Sequence, residues 1–385
     1  MSRQHAVARV DLGAIRANVA ALRGRTTSEV LAVVKADGYG HGLVPSARAA
    51  VEGGATWLGT ALVDEALALR AAGLTEPRIL AWLMGPGERW AEALRADIDV
   101  SVSATWALDE VLAATAETGH TARVHLKVDS GLTRGGAALA DWPDLVDAAR
   151  KAEADGSVLV TGVWSHFAYA DAPGHETIAR QAAVFREAVA HAETAGLRPE
   201  VRHLANSAAT LTAPDQHFDL VRPGIAVYGL SPVPEVGGPH DYGLRPAMTL
   251  AAGLVLVKRV PAGSGVSYGH TYTTDRETTV GLVPLGYADG VPRAAGNVGP
   301  VLAAGRTRTV AGRVCMDQLV LDLGDDPAQA GDEVVLFGDG SDGGPTAQDW
   351  ADATGTISYE IVTRIGPRVP RVYVDDGRVM PGDPS

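Results

Sequence analysis

Residues 32–42 read AVVKADGYGHG. The run from Leu31 to Val34 is apolar and partly β-branched, the pattern of a buried strand, and Lys35 sits at its carboxyl end. Asp37, Gly38, Tyr39, Gly40, His41 and Gly42 then turn the chain before a helical pattern begins at Leu43. An ammonium held at the end of a buried strand is costly to desolvate. Its pKa falls, which suits a lysine that forms a Schiff base. The strand pattern alone is equally met by a lysine that reaches out to solvent.

Outward from this stretch, short apolar runs alternate with alanine- and leucine-rich segments of helical period. The strand-like runs are Val30–Ala36, Trp57–Ala61, Arg78–Leu83, Ile98–Val102, Ala122–Val128, Val160–His166, Val201–Ala205 and Phe218–Val221, with the second and fourth weak by pattern. Asp64–Ala72 and Thr177–Ala195 are two of the helical segments between them. Strand and helix repeated in this way predict a parallel sheet, and eight such strands fit a closed (β/α)8 barrel better than an open sheet. After Gly243 the texture changes to β-branched runs separated by glycine turns, as in TVAGRVCMDQLVLDLG, which predicts a mostly antiparallel β domain. The expected fold class is therefore α/β: an N-terminal barrel over residues 1–243 and a C-terminal β domain over 244–385, joined near SPVPEVGGPHDYG at 231–243.

The chain of 385 residues, 46% hydrophobic and 21% charged, is long enough for a large core plus a second domain. A formal net charge of −13 argues against nucleic acid or an anionic membrane as partner. The single cysteine, Cys315, excludes an intrachain disulfide and fits a reducing compartment. MSRQHAVARVD lacks an apolar signal core, and the longest apolar run, near 247–257, is short of a membrane span. A soluble, cytoplasmic protein is expected.

In a (β/α)8 barrel, functional residues come from the carboxyl ends of several strands. Lys35 follows the first; Lys127 and Arg134 lie at and after the fifth, in HLKVDSGLTRGG; His166 ends the sixth, in GVWSHFAYAD. Asn206 and Ser207 follow the seventh, where Ser207 is placed to cap the next helix; Arg222, Gly224 and Ile225 follow the eighth, in LVRPGIAVYGL. Each alone is weak, since a strand-end histidine is more often a satisfied core residue. Their shared placement is what points to one mouth. Loops after strands seven and eight commonly hold a phosphate in this fold, so Ser207, Gly224 and Ile225, with Tyr39 from the first loop, suit that task. A phosphate clamp opposite a Schiff-base lysine implies pyridoxal 5′-phosphate. No G-x-G-x-x-G opens a helix after a strand, which disfavours a nicotinamide cofactor, and no His, Cys and carboxylate cluster suggests a metal.

KADGYGHG, together with the motifs just quoted and with GVSYGHTYT, GYADG, GRVCMDQ and TISYE of the C-terminal segment, resembles the alanine racemase family over nearly the whole chain. The resemblance implies that Lys35 and Tyr268 are the two catalytic bases. Tyr39, Ser207, Gly224, Ile225 and Tyr359 would hold the cofactor phosphate, and Arg222 its pyridine nitrogen, with His166 and His203 as partners of that arginine. Arg134 would bond the cofactor's phenolic oxygen and the substrate carboxylate, oriented by Lys127, whose counterpart is often carbamylated. Met316, through its backbone N–H, and Asp317 would line the substrate side, while Tyr287 and Tyr359 narrow the entrance. Read without the resemblance, the tyrosines are packing residues. The family also implies a homodimer with shared active sites and a role in supplying D-alanine for peptidoglycan. Two local departures stand out: Thr133 precedes Arg134 where glycine is more usual, and RIGPR at 364–368 differs from the usual polar turn.

Racemisation needs a base on each face of Cα, and the resemblance gives Lys35 the D-face and Tyr268 the L-face. An arginine at the pyridine nitrogen disfavours its protonation, which limits carbanion build-up. A decarboxylase of similar architecture would want a carboxylate there, and a non-catalytic cofactor carrier would lack the C-terminal domain. A broad-specificity or serine racemase is the nearest rival, differing by pocket volume around Tyr359.

Overall fold

The computed structural model describes residues 5–375 and 377–380; the first four residues of the N-terminal stretch lie outside them. Strand β1 (Ala6–Asp11) and the helix Leu12–Arg23 come first. Eight strands follow: β2 (Glu29–Val33), β3 (Trp57–Thr60), β4 (Arg78–Ala81), β5 (Asp99–Val102), β6 (Ala122–Lys127), β7 (Val158–Trp164), β8 (Val201–His203) and β9 (Leu220–Val221). They form one parallel sheet in the order β8-β7-β6-β5-β4-β3-β2-β9. The two ends of that order meet where Asp219 N–H donates to Arg202 O at 3.0 Å and Arg222 N–H to Ala205 O at 2.9 Å. Two backbone bonds, rather than a full ladder, close the barrel.

Helices Leu43–Glu52, Val63–Ala71, Trp90–Arg95, Thr105–Thr118, Trp142–Ala154 and Glu176–Thr194 alternate with the strands. The short helix Ser207–Thr212 and a 3₁₀ turn, Pro214–Gln216, follow β8, and a 3₁₀ turn, Ile225–Tyr228, follows β9. β3 and β5 are buried at every position. β3 (WLGT), covered on both faces, lacks alternation, and in β5 (DVSV) the buried Asp99 and Ser101 interrupt the apolar run, which is why these two carry a weak strand pattern in sequence.

The C-terminal unit contains β10 (Met248–Gly253), β11 (Leu256–Val260), β12 (Gly265–Val266), β13 (Tyr272–Thr273), β14 (Thr278–Val283), β15 (Pro300–Ala303), β16 (Arg306–Thr309), β17 (Leu319–Gly324), β18 (Glu333–Phe337), β19 (Arg371–Asp375) and β20 (Arg378–Val379). Its main sheet has the order β16-β15-β18-β10-β1-β19-β20, with a second sheet β11-β14-β17 and a small pair β12-β13. Among the described residues the strands of this unit pair antiparallel, except β1 with β19. Two short helices, Ala347–Thr354 and Ser358–Thr363, complete the unit.

The division of the chain differs from the expected 1–243 and 244–385. One unit is Ile15–Gly38 with Leu43–Leu244; the other takes the described residues up to Ala14, Tyr39–Gly42, and the chain from Arg245 on. β1 belongs to the C-terminal sheet because it is a half-covered strand: Ala8 and Val10 are buried while Val7 and Arg9 are half-buried, a period of two. The short segment Tyr39–Gly42 is bound into the same unit by Arg371, whose Nε donates to Gly40 O at 2.9 Å. Gly42 has φ +98, and a Cβ there would overlap the hydroxyl of Tyr373, so only glycine fits. Among the described residues no helix is long and apolar enough to cross a membrane.

Candidate active site

The residues after β2 form a left-handed turn. Ala36 (φ 53, ψ 52), Asp37 (φ 53, ψ 48) and Gly38 (φ 60, ψ 43) are followed by Tyr39 at φ 53. Non-glycine residues in this region cost roughly 1–2 kcal/mol each, so the turn persists only where its surroundings impose it. Gly38 N–H donates to Val34 O at 2.8 Å, Ala36 N–H to Glu65 Oε1 at 2.6 Å, and Leu43 N–H to Asp37 Oδ1 at 2.8 Å. The other oxygen of Glu65 accepts from the amides of Ala61 and Leu62 at 3.0 and 3.1 Å. Lys35 is thereby fixed at the start of a rigid turn, its Nζ 5.9 Å from the ring centroid of Trp82. Burial, and then the charge of Arg134, hold its amine below the ordinary lysine range, with Glu65 opposing.

Arg222 is 4% exposed, with no carboxylate among its partners in the described residues. Its Nη1 donates to His203 Nδ1 at 3.1 Å; its Nη2 donates to Ser165 O at 2.8 Å and lies 3.2 Å from His166 Nδ1 and 3.3 Å from Leu204 O. These bonds use only Nη1 and Nη2, so the Nε–H is left without an acceptor among the described residues. Burial pulls the guanidinium down to about 9, still cationic at neutral pH. His166 and His203 are held well below their ordinary value by burial first and by Arg222 next, so both imidazoles are neutral acceptors.

Lys127, the last residue of β6, lies with Nζ 4.4 Å above the ring of Trp164. Burial, then Arg222 and Arg134, pull it down to about 8. Arg134 follows on an exposed loop organised by Asp129, whose Oδ1 accepts from the amides of Gly131, Leu132 and Thr133 at 2.9, 3.0 and 3.1 Å. Thr133 stands at φ 58, a position where a β-branched residue is strained and glycine is not. Lys35, Lys127, Arg134 and Arg222 together make the barrel mouth cationic, suited to an anionic ligand.

After β8, Asn206 rather than Ser207 caps the short helix: its backbone is extended and its side chain accepts from Ala209 N–H at 3.0 Å. The Ser207 hydroxyl instead accepts from the amides of Gly224 and Ala226 at 2.7 and 3.4 Å. Both amides are engaged on Ser207 Oγ, so the donors left between the last two loops are the Ser207 O–H and the amide N–H of fully buried Ile225, which has no acceptor among the described residues. The donor set fits pyridoxal 5′-phosphate. It offers N–H and O–H groups for a phosphate, an unengaged Arg222 Nε–H for a pyridine nitrogen, and a desolvated amine for an aldehyde carbon.

The other predicted residues lie on the C-terminal unit. Tyr39 is buried, which pushes its phenol up, and its ring lies 6.3 Å from that of Tyr359 at 49°. Tyr268 follows Ser267, which has φ 60, and is 72% exposed. The Ser267 hydroxyl donates to Arg313 O at 2.6 Å and lies 3.3 Å from Cys315 Sγ. Tyr287 N–H donates to Cys315 O at 3.0 Å and Ala288 N–H to Met316 O at 2.9 Å. Tyr268, Tyr287 and Met316 are therefore carried by adjoining loops. Asp317 is paired with Arg368 Nη1 at 2.8 Å, and the same guanidinium reaches Asp289 at 3.2 Å.

Residues 10–232 match the family described as alanine racemase, N-terminal domain, and residues 247–373 the alanine racemase C-terminal domain. The chain belongs to the alanine racemase family. It is 64% identical to the alanine racemase of Frankia casuarinae over 366 residues, 95% of each chain, and 64% identical to that of Streptomyces coelicolor over 374 residues, 96% of each. The alanine racemase structure from D-cycloserine producing Streptomyces lavendulae superposes with a TM-score of 0.96 at 61% identity, covering 97% of this chain and 98% of that one.

Several residues of the mouth were not singled out in the sequence: Glu65, Trp82, Trp164 and Ser165, and beneath them His125 and Asp99. Trp164 is stacked flat on His203, centroids 5.6 Å apart at 2°, and also lies under Lys127 and Arg222. Period two along VHLK puts His125 on the same face as Lys127, a signal that was available.

His125, His166 and His203 all have imidazole pKa values depressed by burial. A base whose folded pKa is depressed contributes stability that is complete above its unfolded value, near 6.5, and is lost as pH falls below it, because the unfolded chain takes up the proton first. Each adds up to about 1.4 kcal/mol per pH unit. The urea midpoint should therefore drop between pH 7.5 and 5.5. A flat or rising midpoint would mean the imidazoles are charged in the native state.

Proposed function

We propose that the protein interconverts L- and D-alanine with pyridoxal 5′-phosphate held on Lys35, and that this serves D-alanine supply for peptidoglycan in the cytoplasm. The observation that carries the reading is Arg222, a buried cation bonded to two neutral imidazoles and two carbonyls, behind a desolvated lysine. Ser207, Gly224 and Ile225, with the hydroxyls of Tyr39 and Tyr359, would hold the phosphate, and Arg222 the ring nitrogen. When bound, the cofactor supplies the electron sink that acidifies the Cα–H of an amino acid joined to it. Lys35 takes or returns the proton on one face of Cα and Tyr268 on the other. Arg134 and the Met316 N–H orient the substrate carboxylate. Arg222 is a permanent donor and cannot favour protonation of the ring nitrogen it would face, whereas a carboxylate would. Asp317, tied to Arg368, and Tyr287 with Tyr359 shape the entrance for a small side chain.

The purified protein should racemise alanine from either enantiomer, read by chiral chromatography, and Lys35→Ala should lose at least a thousandfold in kcat. Each extra methylene is expected to cost roughly 1–3 kcal/mol of discrimination. Comparable kcat/KM for alanine, lysine and arginine would instead favour a broad-specificity racemase.

Lys127, pulled down to about 8, has a substantial neutral fraction able to add carbon dioxide, and the resulting anion would pair with Arg134. Protein equilibrated with ¹³C-bicarbonate should carry a carbamate resonance that Lys127→Ala lacks; identical spectra would reject the modification.

The active site is further read as shared across a two-fold homodimer, with Tyr268 supplied in trans. Lys35→Ala and Tyr268→Phe should each be nearly inactive. Refolded together, they should regain activity, because a heterodimer then has one intact site. No recovery, with heterodimer formation confirmed by native mass, would refute a shared site.

A further inference from the structure

Beneath Arg222 a file of buried polar side chains crosses the barrel interior. Arg222 Nη1 meets His203 Nδ1 at 3.1 Å, His203 Nε2 meets His125 Nδ1 at 2.9 Å, and His125 Nε2 meets Asp99 Oδ2 at 3.1 Å. His125, His203 and Asp99 are each 0% exposed. His203 ends β8, His125 lies within β6, and Asp99 begins β5, so the file descends from the carboxyl to the amino ends of the strands.

The direction of every hydrogen bond is forced from both ends. A guanidinium only donates, so His203 Nδ1 is an acceptor and its proton resides on Nε2. That N–H donates to His125 Nδ1, whose own proton is then on Nε2 and donates to Asp99. The carboxylate only accepts. Burial pushes the Asp99 carboxyl up, but the bonds and charges of His125, Arg78 and Arg123 outweigh it and hold it ionised. Arg78 Nη2 and Arg123 Nε each reach it at 2.6 Å. The space is cleared for this geometry. Gly162 on β7 is in register with His125, and a Cβ at Gly162 would overlap the His125 ring. Trp164, flat against His203, fixes that ring's plane.

We propose that Asp99 and His125 are positioning residues that lock His203 in its Nε2–H form and so hold Arg222 in the orientation its role in racemisation requires. Without the carboxylate, both imidazoles can exchange tautomers, and His203 would turn an N–H toward the Arg222 N–H. Two donors then face each other, and the guanidinium has to move. A carboxylate serving only as an ion-pair partner for Arg78 and Arg123 would not influence His203. The proposal rests on the assignment of Arg222 above, but its first readout does not.

The test uses ¹⁵N-histidine-labelled holoenzyme, His125→Leu to cut the file, and His125→Gln, whose amide can accept at one end and donate at the other. In the unmodified protein His203 should show one protonated Nε2 and one bare Nδ1 resonance. His125→Leu should produce a mixed or reversed pattern, and His125→Gln should restore the original one. In kinetics, His125→Leu should lower kcat by roughly 10–100-fold, the usual loss for a supporting residue, with KM little changed and substantial recovery in His125→Gln. Combined with Arg222→Lys, it should add little beyond the loss from Arg222→Lys alone. Asp99→Asn, which replaces one acceptor by a donor, provides the same ¹⁵N measurement if His125→Leu does not fold. An unchanged His203 pattern in the cut variants, or losses that multiply with Arg222→Lys, would overturn the proposal. A ¹⁵N pattern that behaves as expected in a protein that does not racemise alanine would sustain the tautomer lock and remove the functional assignment instead.

Discussion

A guanidinium buried without a carboxylate is the constraint to which the barrel mouth conforms. Desolvating a cation costs several kcal/mol even after relaxation, and here the compensation comes from two imidazoles and two carbonyls. Neutral acceptors recover part of that cost and leave the positive charge unneutralised. The dependence is mutual. Burial first and the charge of Arg222 next keep His166 and His203 unprotonated, and only unprotonated imidazoles can accept from Arg222. Replacing either imidazole by a carboxylate would stabilise the guanidinium while cancelling its field at the place where a ring nitrogen would lie. Burial first, and then the charge of Arg134 at Lys35 and of Arg222 and Arg134 at Lys127, keep these amines below their ordinary range, which is the state a nucleophilic Lys35 requires.

The left-handed turn meets a second demand, for precision. A lysine has four flexible methylenes, so its head is positioned only if its backbone is. Ala36, Asp37 and Tyr39 occupy conformations that glycine would adopt more easily. Their strain is sustained by Glu65, which gathers three amides with two oxygens, and by Asp37 reaching forward to Leu43. Strain of this kind survives where surrounding bonds over-determine it. Thr133 is a comparable case on the Arg134 loop, where three amides converging on Asp129 hold a β-branched residue at positive φ.

The barrel was legible because its strands are short apolar runs punctuated by helices, and the strand-end residues because parallel strands deliver their carboxyl ends to one rim. What escaped did so for physical reasons. β1 pairs with β10 and β19, strands of the C-terminal unit far along the chain, and local pattern carries no information about so distant a partner. Asp99 and Ser101 made β5 look like a poor strand. Asp99 turns out to be the carboxylate that anchors the imidazole file, so the residue that weakened the strand pattern is the one with a task. His125 shares a face with Lys127, but only the lysine was read, because an imidazole inside an apolar strand resembles any satisfied core histidine. Glu65 lay in a helical segment, where a glutamate in the first turn is ordinary, and nothing local shows that it bonds the turn after β2.

The C-terminal unit presents the opposite problem from the barrel, too much apolar surface rather than too much buried charge. Tyr268 is 72% exposed, Met316 54% and Tyr287 41%. Scattered singly, such residues would need no explanation. Here Ser267 bonds the Tyr268 loop to Arg313, and Tyr287 and Ala288 bond to Cys315 and Met316, so the three side chains are carried on one linked set of loops. Arg368 braces the same region by joining Asp289 to Asp317 across two loops. A braced group of exposed aromatic and thioether side chains is poor design for a surface left in water and suits one that another surface covers.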